Sequence, residues 1–243
     1  MDAFGRLLVH NQFYPPRLLF RTLIINSPQL NIRYHLNGLS VEKWGWVIYR
    51  CTYDDDETWA LFRAHVEARS RKSIAESDAA EIANRLEWMW VEDAASLDRI
   101  STDVLRKRFR AWVADEVARQ PGDYFPAILP RFRYFVKIDQ EVLQSLAKPD
   151  PFNPSRLNTA FVKFVDGNWE PDPPPVIAEE KEEEEKDFWP EETLAPIGGC
   201  TEKDVGWMRI APHMINADFY EALGGDENLW YVFYRRPPSI VIY

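Results

Sequence analysis

Residues 131–138 read RFRYFVKI, and this alternation decides the fold class that the sequence predicts. Apolar side chains occupy the even positions, two arginines and Lys137 occupy odd positions, and Phe135 is the exception. Successive side chains of a β-strand point to opposite faces of the sheet. The pattern therefore predicts a strand with one buried face and one solvated face, which is typical of antiparallel sheets.

Further strands and helices surround this segment. Five segments have the aromatic and β-branched composition of strands: residues 44–53, 86–91, 160–165, 205–210 and 229–234. Four segments have apolar residues at helical spacing: residues 56–71, 101–117, 140–147 and 217–223. Because the two types intermix, the sequence predicts an α+β fold, a mainly antiparallel sheet with helices on one face. Among known topologies, this order of elements best fits a ferredoxin-like sheet with additional elements.

The charge of the chain is concentrated in one segment. The formal net charge is −10, and residues 170–192 hold eleven acids and two bases, a charge of −9. Consecutive prolines and glutamates bury nothing, so we expect a disordered acidic loop at about residues 170–198. It serves either as a simple insertion or as a tether for a basic partner. This loop would interrupt a single domain at residues 44–243, preceded by an extension at residues 1–43.

The chain has features of an intracellular protein. It starts Met1-Asp2, without the bases of a signal peptide, and its apolar stretch at residues 18–25 is far shorter than a membrane span. Cys51 and Cys200 are too few for a disulfide framework, which favours a reducing compartment. We expect a cytosolic protein, with the nucleus as a second location and no membrane partner. Outside the acidic loop the charge is about −1, which argues against nucleic acid.

The acidic run Asp54-Asp55-Asp56-Glu57 follows a predicted strand. Adjacent carboxylates in this position can hold Mg²⁺ or act as acid–base groups, which makes Asp54 and Asp56 candidate catalytic residues. The alternative is a helix cap by Asp54, with the other acids suiting the helix N-terminus. No second acidic motif supports a metal site, so none is predicted.

The remaining nucleophiles and bases are scattered along the sequence. His213, in a loop after a strand, is a candidate catalytic base, whereas His65 is expected at the boundary of a helix. The histidines lack zinc-ligand spacing, and Cys51 is expected to be a small buried residue. The chain contains no phosphate-binding loop and no dinucleotide fingerprint. No cofactor is therefore predicted.

Arginines lie in or beside the aromatic strands. Arg50, Arg133, Arg235 and Arg236 are candidate ligand-binding residues, because guanidinium groups bind carboxylates and phosphates in a bidentate manner. The alternative is ordinary pairing with aspartates near the strand ends.

One stretch resembles a known group of proteins. The segment WGWVIYRCTY at residues 44–53, with RFRY at residues 131–134 and YRRPP at residues 234–238, resembles a group of uncharacterised filamentous-fungal proteins with a W-G-x-x-I-Y-R-x-x-Y opening motif. The resemblance implies a fungal, non-secreted protein with one folded unit from Trp44 onward. It implies no activity and no functional residues.

Two functional hypotheses remain. The first is a noncatalytic intracellular binding or protein-interaction module, which fits the aromatic content of 14% and predicts a broad exposed aromatic patch. The alternative is a small-molecule tailoring or cyclising enzyme of fungal metabolism with acid–base residues in an aromatic-lined cleft. It predicts a closed pocket in which two or more candidate residues converge. The partner is thus a protein or a small molecule.

Overall fold

The computed structural model describes residues 27–39, 41–119, 129–155, 158–171, 194–225 and 228–243, which form helices and one six-stranded sheet. The strands are β1 (Val47–Arg50), β2 (Met89–Val91), β3 (Tyr134–Ile138), β4 (Val162–Asp166), β5 (Trp207–Ile210) and β6 (Ile240–Val241). The helices are α1 (Pro28–Gly38), α2 (Asp56–Ala75), α3 (Ala94–Leu97), α4 (Thr102–Arg119), α5 (Gln140–Leu146), α6 (Ala217–Ala222) and α7 (Leu229–Phe233). The predicted α+β class is confirmed.

The strand order is β2-β1-β3-β4-β5-β6, and β4 alone runs against the other five strands. The centre of the sheet is therefore antiparallel, and both flanks are parallel. A ferredoxin-like sheet splits its βαβ units with an intervening strand, whereas β1 and β2 are direct neighbours, so the strand order differs from that topology. Five strands end at the same side of the sheet, which we call the carboxyl end.

Helices cover both faces of the sheet. On one face α1, α2, α5 and α6 enclose the main core, which includes Ile48 and Phe164 of the sheet. On the opposite face α4 packs Leu105 and Phe109 against Val47 and Phe135. The prediction of helices on one face is therefore wrong, because the basic residues of segment 131–138 suggested a solvated surface, whereas α4 covers that face of the sheet.

Lys137 shows how that face is built. Its side chain is buried, and its Nζ donates to the Ile100 carbonyl at 3.0 Å and to the Thr102 hydroxyl at 3.2 Å. Burial lowers the pKa of Lys137, an effect that the nearby Asp139 carboxylate opposes. A charged residue on the second face of a strand thus ties β3 to the start of α4.

Leu229–Phe233 form the helix α7 where the sequence predicted a strand at residues 229–234. In α7, Trp230 is buried and stacks on Tyr134 at 5.5 Å between ring centroids, while Val232 is 62% exposed. A strand would have placed both side chains on the same face. An apolar run of this length does not by itself distinguish a strand from a helix.

The extension and the acidic loop are only partly described. Residues 1–26 and the acidic segment 172–193 lie outside the described residues. The helix α1 contributes Ile32 and Leu36 to the main core.

Candidate functional site

Arg50, the last residue of β1, is buried at the carboxyl end of the sheet. Its guanidinium pairs with Asp56 at the start of α2 and lies 3.5 Å from the Glu92 carboxylate. The rings of Tyr53 and Trp59 flank it at 4.5 and 5.3 Å from their centroids. Two predicted site residues therefore meet, but as an ion pair that ties β1 to α2.

The acidic run after β1 contains the cap of α2. The Asp55 carboxylate accepts hydrogen bonds from the Thr58 hydroxyl at 2.6 Å and from the Thr58 N–H at 2.9 Å, which lower the pKa of Asp55. The N-cap is Asp55, so the prediction of Asp54 as the cap is off by one residue. Asp54 lies 3.5 Å from the Thr52 hydroxyl. In the part of the chain that the structure describes, no group of three or more His, Cys, Asp and Glu residues could hold a metal ion.

His213 is buried in the 3₁₀ helix Pro212–Met214, which follows β5. Burial lowers the pKa of its imidazole, and the positive charge of Arg69 lowers it further. No hydrogen bond or ion pair between described residues joins His213 to Asp54 or Asp56. The three candidate catalytic residues therefore do not form a common site.

The other candidate arginines lie apart from Arg50. Arg133 pairs with Asp166 at 3.3 Å, at the opposite end of the sheet, where burial raises the pKa of the Asp166 carboxyl. Arg235 and Arg236 donate to backbone carbonyl oxygens, those of Tyr234, Ala195 and Cys200. The sheet therefore does not gather these arginines into one anion-binding site.

A groove between α2 and α5 has the size and lining of a ligand site. Its volume is roughly 570 Å³, within the usual range of small-molecule sites. It is lined by the first turns of α2, the end of α5 and the loop that follows, namely Glu57, Thr58, Leu61, Phe62, Ala64, His65, Leu146, Ala147, Lys148, Pro151 and Phe152. Apolar and aromatic side chains dominate this lining, with a few polar groups at intervals.

The loop after α5 holds its wall of the groove in a fixed shape. Asp150 has a positive φ of 50°, a conformation that non-glycine residues rarely adopt. The Asn158 amide donates to the carbonyl oxygens of Pro151 and Asn153, both at 2.8 Å. Phe152 stacks on the His65 ring at 3.5 Å between centroids. A wall that is ordered before binding lowers the entropic cost of binding.

His65 lines the groove beside Phe152. Its Nε2 is covered by protein and has no hydrogen-bond partner among the described residues. Burial lowers the pKa of the imidazole, the charge of Arg69 lowers it further, and Asp150 opposes both. Burial therefore favours the neutral form of the imidazole.

Three histidines make the stability of the fold depend on pH. Burial lowers the pKa values of His35, His65 and His213 below that of an unfolded chain. Below about pH 6.5 the unfolded state therefore binds protons that the folded state does not, so the free energy of unfolding decreases as the pH falls. Each histidine contributes at most about 1.4 kcal/mol per pH unit. Urea denaturation at pH 7.5 and 5.5 measures the decrease.

A His213→Gln variant is the control for this prediction, because it removes one of the three groups. Its stability should fall less between the two pH values than that of the native protein. The raised pKa of Asp166 acts in the opposite sense, since it adds stability as the pH falls toward and below its folded value. Equal pH dependence in the variant and the native protein would contradict the role assigned to His213.

The groove residues were only partly recognisable in the sequence. Helical spacing assigns Phe62 to the core and His65 to the boundary, and the structure confirms both: Phe62 is buried in the main core beneath the groove, and half-buried His65 lines the groove. Phe152 has no periodic signal in the sequence, because it lies in the loop after α5, directly after Pro151. One sequence feature did point to the groove. His65 follows Phe62 by three residues and therefore lies on the same side of α2, at the edge of its apolar face.

Comparison with known proteins does not assign the chain to a family. No protein-family model, no curated protein and no solved structure matches this chain. The resemblance to filamentous-fungal proteins therefore stays a prediction. Among the described residues, no helix is both long and apolar enough to cross a membrane.

Proposed function

We propose that the chain is an intracellular, noncatalytic binding module that takes a small, largely apolar molecule in the groove between α2 and α5. The observation that carries this proposal is the groove itself, with its volume of roughly 570 Å³ and its lining of Leu61, Phe62, Leu146 and Phe152. Sites for small molecules are typically concave and apolar, with few polar groups. The two unpaired cysteines suit a reducing compartment.

The groove is a better recognition site than an exposed aromatic patch. The large apolar side chains that are exposed in the described chain are spread over α1, α2, α4, α7 and the last described residue, and α7 alone carries two of them, namely Tyr34, Leu61, Val104, Tyr231, Val232 and Tyr243. Single exposed apolar residues are normal on protein surfaces. Leu61, which is 63% exposed, differs from the other five because it lines the groove. A ligand that covers it would remove apolar surface from water.

Binding fits the groove better than catalysis does. Acid–base catalysis requires groups that converge within hydrogen-bonding reach of one substrate. The groove contains His65 and Glu57, which are eight residues apart in α2, or about 12 Å along the helix axis. The candidate residues Asp54, Asp56 and His213 are not part of its lining. We therefore favour the binding module over the tailoring enzyme.

A thermal-shift screen with a matched pair of variants tests this proposal. At 100 times its Kd, a ligand adds about 2.7 kcal/mol of stability, so aromatic and aliphatic compounds that bind should raise the Tm of the native protein. Leu61→Arg places a charge in the groove and should abolish the shift. Val104→Arg introduces the same charge at a 50% exposed residue of α4 and should leave the shift intact.

Two results would contradict the proposal. One is a screen in which no compound raises the Tm of the folded native protein. The other is a shift that Leu61→Arg retains in full, which would place the ligand elsewhere.

A further inference from the structure

We propose that Asn158 is the positioning residue of the groove: its side chain holds residues 150–153 in the conformation that places Phe152 on His65, and it thereby sets the affinity of the groove without being part of the lining. The inference rests on the proposed function, since it assigns a residue outside the lining to the same groove. It is carried by the hydrogen bonds of the Asn158 amide, by the backbone conformation that they stabilise and by the ring contacts of Phe152.

The Asn158 amide binds the backbone on both sides of Phe152. Its Nδ2 donates to the carbonyl oxygens of Pro151 and Asn153, both at 2.8 Å, and its Oδ1 accepts from the Ala160 N–H at 3.0 Å. A carbonyl oxygen only accepts and a backbone N–H only donates, so the side chain must supply two donors and one acceptor. Among side chains of this length, asparagine alone provides both.

The conformation that Asn158 stabilises is one that the backbone rarely adopts unaided. Asp150 has a φ of 50°, and a non-glycine residue stays in this left-handed region only where the surrounding contacts hold it there. The Asp150 carbonyl oxygen accepts from the Asn158 Nδ2 at 3.4 Å and from the Asn153 N–H at 3.2 Å. Without the amide, a return of Asp150 to negative φ would direct Phe152 away from its present position.

The connection between α5 and β4 has a second attachment that is independent of Asn158. The Ser145 hydroxyl, in α5, accepts from the Phe161 N–H at 3.1 Å. Phe161 directly precedes β4, and its side chain belongs to the main core. Removal of the Asn158 amide should therefore release residues 150–153 while α5 and β4 stay in place.

Phe152 links this segment to the groove. Its half-buried ring lines the groove, stacks on His65 at 3.5 Å between centroids and lies nearly parallel to the Phe62 ring at 6.2 Å. A molecule in which residues 150–153 have left this position lacks one wall of the groove. The apparent Kd is the intrinsic Kd divided by the fraction of molecules in the competent conformation. Affinity therefore falls as that fraction falls, although Asn158 makes no contact with the ligand.

Fluorescence titration with N-phenyl-1-naphthylamine, an uncharged apolar dye, and NMR of the His65 imidazole test the assignment in the full chain. In Asn158→Ala we expect the Kd for the dye to rise about tenfold. The imidazole protons of His65, which lie over the face of Phe152, should lose their upfield ring-current shift. A His65→Gln variant identifies these resonances among those of the four histidines.

Ser145→Ala is the matched control. It removes a buried hydrogen bond beside the same loop and lowers the stability of the protein, but it should retain the native Kd and the native His65 shift. If Asn158→Ala does not fold, Asn158→Asp replaces it, because aspartate has the same shape and no donor at pH 7.

Three results would overturn the role of Asn158 while the native protein binds the dye. One is a Kd in Asn158→Ala within about twofold of the native value. Another is an equal rise in Kd in Asn158→Ala and Ser145→Ala, which would reduce the effect to a general loss of stability. The third is a native His65 shift in Asn158→Ala, which would show that Phe152 stays in place. Failure of the native protein to bind the dye would also overturn this role, and the thermal-shift screen decides separately whether the groove binds another compound.

Discussion

Replacing Gly45 by alanine is expected to destabilise the fold by about 3 kcal/mol or more. Gly45 has a φ of +115°, and a Cβ atom built on it would lie 2.5 Å from the carbonyl oxygen of Glu87. Left-handed backbone costs a non-glycine residue about 1–3 kcal/mol, and the contact with a backbone atom adds to this cost. Glu87 precedes β2, and its N–H donates to the Trp44 carbonyl at 2.8 Å. Relief of the contact would therefore separate β2 from β1.

Gly198→Ala is the control for this variant. Gly198 also has a positive φ, of +59°, but a Cβ atom there would meet nothing within 4 Å. We expect it to cost only the conformational strain, about 1–2 kcal/mol. Urea denaturation of both variants gives the comparison. Equal losses of stability would show that the two strands adjust to the added methyl group without disrupting their pairing.

The sequence predicted the strands near the centre of the sheet better than the arrangement of the sheet. Residues 44–53 were assigned to a strand on their aromatic and β-branched composition and residues 131–138 on their alternation, and β1 and β3 lie within these segments. The direction of pairing depends on the crossover helices, and no local pattern in the chain encodes it. The alternation at residues 131–138 suggested a solvated face. A sequence shows that Lys137 is polar, but it does not show the carbonyl and hydroxyl groups that bind Lys137 in the interior.

The candidate site was less predictable than the fold. Residue types identified Arg50 and Asp56 as separate candidates, and their ion pair follows from the turn between β1 and α2. The groove combines α2 with Phe152, which is 87 residues after His65 in the chain and stacks directly on the His65 ring. Such a site has no linear signature, because it depends on tertiary contacts and on the loop that Asn158 holds in place.

Arg106→Met is expected to destabilise the protein by about 3–5 kcal/mol. Arg106 follows directly on the apolar residue Leu105 in α4, and it is only 4% exposed. Its Nε donates to the Asp166 carbonyl at 3.1 Å, and its Nη2 donates to the carbonyls of Gly206 and Val205 at 2.9 and 3.3 Å. Methionine fills much of the same space but donates no hydrogen bond, so three buried carbonyl groups would lose a donor.

Lys107→Met is the matched control, because Lys107 is the exposed neighbour of Arg106 and carries the same charge. We expect it to change the free energy of unfolding by no more than about 0.5 kcal/mol. The loss of stability in Arg106→Lys should lie between those of Arg106→Met and Lys107→Met, since an ammonium group lacks the planar set of donors that reaches three carbonyls at once. Chemical denaturation at pH 7 distinguishes these cases. A loss in Arg106→Met no larger than in Lys107→Met would mean that water replaces the guanidinium, and that the apolar contacts of Leu105 and Phe109 and the hydrogen bond from Lys137 to Thr102 hold α4 on the sheet without Arg106.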